Sequence, residues 1–151
     1  DICKILEIKA KIINNIDKEY NFKKDVLNSI ITTISKKENH KFTSLNLVIS
    51  DDIHLNALKK EYFNQDHFTD IITFNLEDEG NPIEGEIYIS MDRIEDNSNT
   101  FGTSLENEFK RIFIHGLLHL CGYDDQAKSE KENMCKLEDY YLNKHKTKVI
   151  L

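Results

Sequence analysis

Long hydrophobic runs are missing from this sequence: nothing in it approaches the ~20 apolar residues of a membrane-spanning helix. Missing too is the pattern of a signal peptide, a basic segment leading into an apolar stretch and a small-residue cleavage site. Cysteine is scarce. Cys3, Cys121 and Cys135 are odd in number and irregularly spaced, which argues against a disulfide framework and for a reducing, cytoplasmic setting. Proline occurs once, and there are no internal repeats or low-complexity segments. Positive charge is in deficit, with 20 Lys and Arg against 27 Asp and Glu, a formal net charge of −7. A nucleic-acid partner would therefore have to be held by a local basic patch against an unfavourable overall field. At 151 residues, 39% hydrophobic and 31% charged, the chain has the composition of one globular domain with a core of its own.

The pattern of apolar residues sets out the elements. Residues 2–8, ICKILEI, are apolar enough for a first strand, with helix as the alternative. Phe22, Val26, Leu27, Ile30, Ile31 and Ile34 recur at helical spacing, predicting an amphipathic helix over 22–37. Leu45, Leu47 and Ile49 alternate with polar neighbours, as in a half-buried strand. Ser50, Asp51 and Asp52 offer N-caps to a helix with Leu55, Leu58 and Tyr62 on one face. The β-branched run 71–74 and residues 86–90 read as two strands joined through turn-forming residues. Residues 91–102 look irregular, with a short helix near 91–96. Thr103 and Glu106 form a capping box for the next helix, and Ser129 and Glu132 form one for the last. Residues 143–151 read as a frayed or lightly packed tail. Strands and helices mix without strict alternation, so the expected class is α+β, a single domain over 1–151 with a mixed, roughly four-stranded sheet and about five helices.

The densest chemistry lies in residues 115–125, HGLLHLCGYDD. In the helix carrying it, Leu105, Phe109, Ile112, Phe113, Leu117 and Leu120 share a broad apolar side, and Ile114 and Leu118 make the second half apolar nearly all round, so it is expected to be buried. His115 and His119 are four apart, hence stacked on one helix face about 6 Å from each other. Two imidazoles so placed can offer ring nitrogens to one metal ion at about 2.0–2.1 Å. A single histidine in a buried helix is usually a hydrogen-bonded core residue, but two without partners would cost ~1–3 kcal/mol per unsatisfied polar group. Gly122 ends the helix, and the reversed chain can bring back Asp125 or Asp124 as a third ligand, the other remaining free to cap the final helix.

Around this set the readings divide. Gly116 stands where zinc peptidases carry a glutamate base, which weakens a peptidase reading. A glycine in a helix interior marks either tight helix–sheet packing or substrate access. Cys121 reads as packing. Glu108, on the histidine side of the helix, is a candidate to orient a ligand or act on water, against the commoner reading of a solvated charge. His40, His54, His67 and His145 have no motif around them and read as surface residues.

HGLLHLCGYDD is similar to the signature H-G-x-L-H-L-x-G-Y-D-H of the YbeY-type metal-dependent endoribonucleases of bacteria, differing only at the last position. A second family motif, L-N-x-x-Y-R-x-x-D-x-x-T-D-V-L-S-F, resembles LKKEYFNQDHFTDIITF (58–74), with Tyr62, Asp66, Thr69, Asp70 and Phe74 in register. GEIYIS (85–90) looks like the family's G-D-I-x-I segment. The resemblance implies one zinc ion per chain on His115, His119 and Asp125, with His115 doubling as a catalytic candidate. It also implies a cytoplasmic, single-strand-specific endoribonuclease of ribosomal RNA maturation and ribosome quality control, whose partners are ribosomal RNA and the ribosome or its proteins, with no membrane. Two other classes stay open: a ribosome-assembly factor whose metal is chiefly structural, and a zinc hydrolase of peptides or small molecules.

Two positions depart from the family. Its arginine after the tyrosine is Phe63 here and the neighbouring asparagine is Lys59, so the positive charge needed at a cleaving phosphodiester falls to Lys59, Lys60, Arg93 or Arg111. Phe63 itself is either a base-stacking ring or, the safer reading, a core aromatic. The third ligand is Asp125 in place of histidine. Carboxylate oxygen binds zinc at about 2.0–2.2 Å, and His₂-carboxylate sets also suit iron and manganese. The aspartate lowers the combined charge of ion and ligands from about +2 to about +1, which weakens activation of bound water. An Asp125→His variant is accordingly expected to shift the pH–rate profile to lower pH; a wild-type profile no more alkaline than the variant's would refute this.

Overall fold

The computed structural model describes residues 8–151. The first strand among the described residues is β1 (Ala10–Asn14); the strand expected over 2–8 lies outside them except for Ile8. The chain continues through α1 (Lys24–Glu38), β2 (Phe42–Ser50), α2 (Asp52–Phe63), β3 (Ile71–Asn75), β4 (Ile83–Ser90), α3 (Met91–Phe101), α4 (Leu105–Leu120) and α5 (Lys128–Lys144). The four strands form one mixed sheet in the order β1-β2-β4-β3. β2 is paired in parallel with β1 and with β4, while β3 and β4 run antiparallel across the turn the sequence suggested. With five helices among the described residues, this is the expected α+β architecture. No helix among the described residues is long and apolar enough to cross a membrane.

Local chemistry explains most boundaries. The α1 stripe Leu27, Ile30, Ile31 and Ile34 is fully enclosed, and Asn39 closes the helix in the left-handed conformation. Asp51 caps α2 by accepting from the His54 amide at 2.9 Å. On α2 only Leu55 of the anticipated stripe is deeply buried; Tyr62 is exposed. Residues 91–101 are one continuous helix rather than an irregular stretch, capped by Ser90 and inserting Met91, Ile94 and Ser98 into the core.

Both expected capping boxes are displaced. Ser104, not Thr103, caps α4, accepting from the Asn107 amide at 3.0 Å. Glu106 is drawn away to the amides of Val149 and Ile150, each at 2.8 Å. α5 begins after Ala127, whose amide donates to Glu130, so neither Ser129 nor an aspartate of the preceding turn caps it.

The tail is not loose. Phe22 bridges to Ile150, the Lys23 amide donates to the Val149 carbonyl at 2.7 Å, and Val149 is enclosed. The buried Lys110 ammonium donates to the carbonyls of His145 and Thr147 at 2.9 and 3.3 Å. These partners lie far off in the sequence, which is why local polarity suggested fraying. His145 is buried with them, whereas His40, His54 and His67 are exposed as expected.

α4 lies on the sheet, and Gly116 decides how closely. A Cβ at this position would stand 2.6 Å from Ile71 Cδ1, 3.2 Å from Ile87 Cδ1 and 3.3 Å from Thr73 Cγ2. Tight helix–sheet packing is therefore what the glycine serves. A Gly116→Val substitution inserts branched carbon among three side chains and is expected to destabilise the fold by about 2–3 kcal/mol. Urea unfolding with an unchanged midpoint would contradict that packing.

Candidate metal centre

α4 ends in a glycine-terminated turn that sets the geometry of the centre. The Tyr123 amide donates to the Leu118 carbonyl at 3.1 Å and the Gly122 amide to the His119 carbonyl at 2.9 Å. Gly122 takes φ +101°, a conformation glycine adopts without a steric penalty. Beyond it the Tyr123 hydroxyl donates to Glu38 Oε1 at 2.6 Å, and the Tyr141 hydroxyl donates to the other oxygen of the same carboxylate. α1, the turn and α5 are thus tied at one point. The Glu38 bond, ahead of burial, pushes the Tyr123 phenol up to about 12. Cys121 is buried and its thiol is pushed up to about 12 by desolvation, consistent with packing.

The turn brings Asp125 back over the histidines. His115 Nε2 and His119 Nε2 are 3.0 Å apart, and Asp125 Oδ2 lies 3.2 and 3.4 Å from them. Bonds of about 2.0–2.1 Å to a four-coordinate tetrahedral ion place neighbouring donors about 3.3 Å apart, so the three atoms have the spacing of one tetrahedral face. No other group of three such side chains with this spacing occurs among the described residues. Asp124 lines the same cleft but stands outside the triangle.

The outward nitrogens of both rings are committed. His119 Nδ1 is 2.9 Å from the Tyr123 carbonyl, which can only accept, so it carries the proton. His115 Nδ1 is 2.6 Å from Glu138 Oε2, and Arg111 holds the other Glu138 oxygen at 2.9 Å. In the neutral rings, two Nε2 lone pairs and a carboxylate oxygen therefore converge, three acceptors with no donor among them. A cation or a proton relieves that arrangement, and the donor set fits a divalent metal with its histidines oriented from behind.

The remaining site residues from the sequence are placed as follows. Lys59 lines the cleft, a space of about 320 Å³ bounded also by Phe63, Asp70, Thr73 and the three donors. Lys60 pairs with Asp66 at 3.7 Å, Arg93 with Asp52 and Asp96 at 3.1 Å, and Arg111 with Glu138 and Asp139. None of these three lines the cleft. Glu108 is buried rather than solvated; desolvation and then the charge of Asp70 raise its pKa, and it too is absent from the cleft wall. Phe63 is exposed at the lip and is not a core aromatic.

Two residues went unmarked as site residues. Asp70, half-buried in the cleft, has its pKa raised by desolvation against the pull of His115. Glu138 shares the buried face of α5 with Met134 and Tyr141, four before and three after it, and a carboxylate at that spacing is the signal that was available.

A mixed α+β domain whose cleft is lined by two histidines of a sheet-packed helix and a carboxylate of the following turn has the donor set of a metal-centre enzyme. Comparison with known proteins narrows the class. The family model described as Endoribonuclease YbeY matches residues 9–146. Endoribonuclease YbeY of Cytophaga hutchinsonii is 39% identical over 116 residues, covering 77% of this chain and 81% of that protein. The Flavobacterium johnsoniae protein of the same name is also 39% identical, over 125 residues, 83% of this chain and 86% of its own. A Thermotoga maritima protein solved in solution shares the fold with a TM-score of 0.57 and 25% identity, covering 89% of this chain and 90% of its own. This chain belongs to the YbeY endoribonuclease family.

Protonation of His115 has a definite sign. Desolvation opposes it, but the Glu138 hydrogen bond and the charges of Glu138, Asp125 and Asp70 outweigh burial and raise the imidazole above its ordinary 6.5. In the metal-free protein the charged ring therefore contributes stability below about pH 6.5, lost as pH rises through the elevated value. Imidazole resonances followed by NMR in the metal-free protein should show His115 titrating above 6.5, and lower in Glu138→Gln; equal titration in both proteins would remove Glu138 as the cause.

Proposed function

We propose that this chain is a zinc-dependent endoribonuclease that cuts single-stranded RNA in ribosomal RNA maturation, including the 3′ end of the small-subunit RNA, and serves ribosome quality control in the cytoplasm. The observation that carries the reading is the triangle of three converging acceptors lining a cleft, in a chain of the YbeY endoribonuclease family. His115, His119 and Asp125 hold one zinc ion; when bound, it supplies Lewis-acid polarisation of a phosphate oxygen or activation of water. Structural zinc sites are closed by protein ligands, whereas these three donors are only half-buried and border the cleft, which favours catalysis over a chiefly structural metal.

The chain's own side chains supply the rest. Glu138 and the Tyr123 carbonyl hold both rings in the tautomer that turns Nε2 inward, and Arg111 fixes Glu138 in place through its other oxygen. Lys59 brings positive charge to the cleft where Asp70, Asp124 and Asp125 would otherwise repel a phosphodiester. Gly116 packs against the sheet where a zinc peptidase would carry its glutamate base. Family membership supports the ribosomal substrate.

The test is cleavage of single-stranded and duplex RNA by zinc-loaded wild type and His115→Ala. Single strands should be cut in preference, and the variant should lose more than about 100-fold in kcat/KM. Cleavage indifferent to His115 would overturn the mechanism.

A further inference from the structure

Phe63 and Lys59 stand one turn apart on α2, and both line the cleft that holds the three donors. Phe63 is 42% exposed, an apolar ring at the lip of a wall otherwise rich in carboxylates. It is nevertheless well supported. Its ring stacks on Phe74 with centroids 5.9 Å apart and planes 24° from parallel. Phe74 in turn meets Tyr62 and Tyr88 edge-on, at 5.4 and 5.8 Å. Contact with this cluster of rings holds the Phe63 ring in a fixed orientation, as a stacking platform requires.

Lys59 is the basic side chain of this cleft, and among the described residues it makes no ion pair, whereas Lys60, Arg93 and Arg111 are all engaged. Its ammonium rests over the Phe63 ring, 4.7 Å from the centroid. That contact is weaker than a charge-assisted hydrogen bond to phosphate, so an arriving phosphodiester draws the ammonium off the ring and toward the donors. The ring face it leaves is then open.

We propose that Phe63 is a nucleobase-stacking residue that selects unpaired RNA, laying the base next to the reacting phosphodiester on its ring while Lys59 binds that phosphate. The proposal rests on the ribonuclease reading above and says how that site recognises its substrate. A base inside a duplex is already stacked and paired, and would have to leave the helix to lie here. Every base has a π-face, so the platform selects single strands without selecting sequence.

The experiment combines a protein change with a substrate change. The cut is mapped on a single-stranded oligoribonucleotide, and each flanking nucleotide is replaced in turn by an abasic one. With wild type, one flanking abasic position should lower kcat/KM about 10-fold and the others little. Phe63→Leu, which keeps an apolar side chain at an exposed position, should lose about 10-fold on the intact strand through KM, with kcat preserved, and should be indifferent to that abasic position. Phe63→Trp should restore both. In stopped-flow mixing, 2-aminopurine at that position should show a stacking change with wild type and none with Phe63→Leu. A Phe63→Leu enzyme with unaltered kcat/KM, or one as sensitive to the abasic position as wild type, would overturn the stacking role and leave the ribonuclease reading standing. A zinc-loaded wild type that cuts no RNA would end both.

Discussion

A helix that is apolar nearly all round can be stable only if it is enclosed, and enclosing α4 dictates much of the rest. The sheet comes within van der Waals contact of Gly116, and Phe109, Phe113, Ile114, Leu117 and Leu118 are fully buried. What remains open is a narrow strip at the C-terminal end, and it carries the two histidines. Their positions are therefore fixed by hydrophobic packing rather than by any ligand. Packing close enough to exclude a methyl group leaves little freedom for the imidazoles to drift.

The third member of the triangle reaches its place differently. Asp125 lies beyond a glycine turn on a chain that has left the helix, where backbone freedom would normally be considerable. Here the turn is fastened from both sides, by its own amides to the end of α4 and by the Tyr123 hydroxyl to Glu38. Tyr141 binds the same carboxylate from α5, the helix that also sends Glu138 to His115. One hydrogen-bond node built on Glu38 thus aligns the two elements that complete the centre, the turn in front and the orienting carboxylate behind.

How much of this could be read from residues alone follows the range of the interaction involved. The α1 stripe, the burial of α4 and the His115–His119 pair depend on neighbours three or four positions away, and each stands where periodicity put it. The β3–β4 pairing depends on a short turn and was legible for the same reason. Features decided by distant chain were not. Thr103 and Ser104 can both cap, and Ser104 prevailed while Glu106 was engaged by amides more than forty residues on. Residues 91–101 are so polar that their helix is disclosed only by the core that receives Met91 and Ile94. Glu138 offered only its helical spacing from Met134 and Tyr141, and nothing to say what it binds, because its partner lies on another helix. Among the basic candidates, only tertiary pairing could show that Lys59 alone borders the cleft.

The closing segment of the chain is held almost wholly through its main chain. Its carbonyls accept from Lys110 and Lys23, its amides donate to Glu106 and to Asn21, and Val149 is its one enclosed side chain beyond His145. Backbone groups are the same whatever residue bears them. Most side chains in this stretch can therefore be exchanged at small cost, while removing or inserting a single residue shifts every donor and acceptor off its partner. Here the spacing of peptide groups, more than the identity of the amino acids, is what the fold has to preserve.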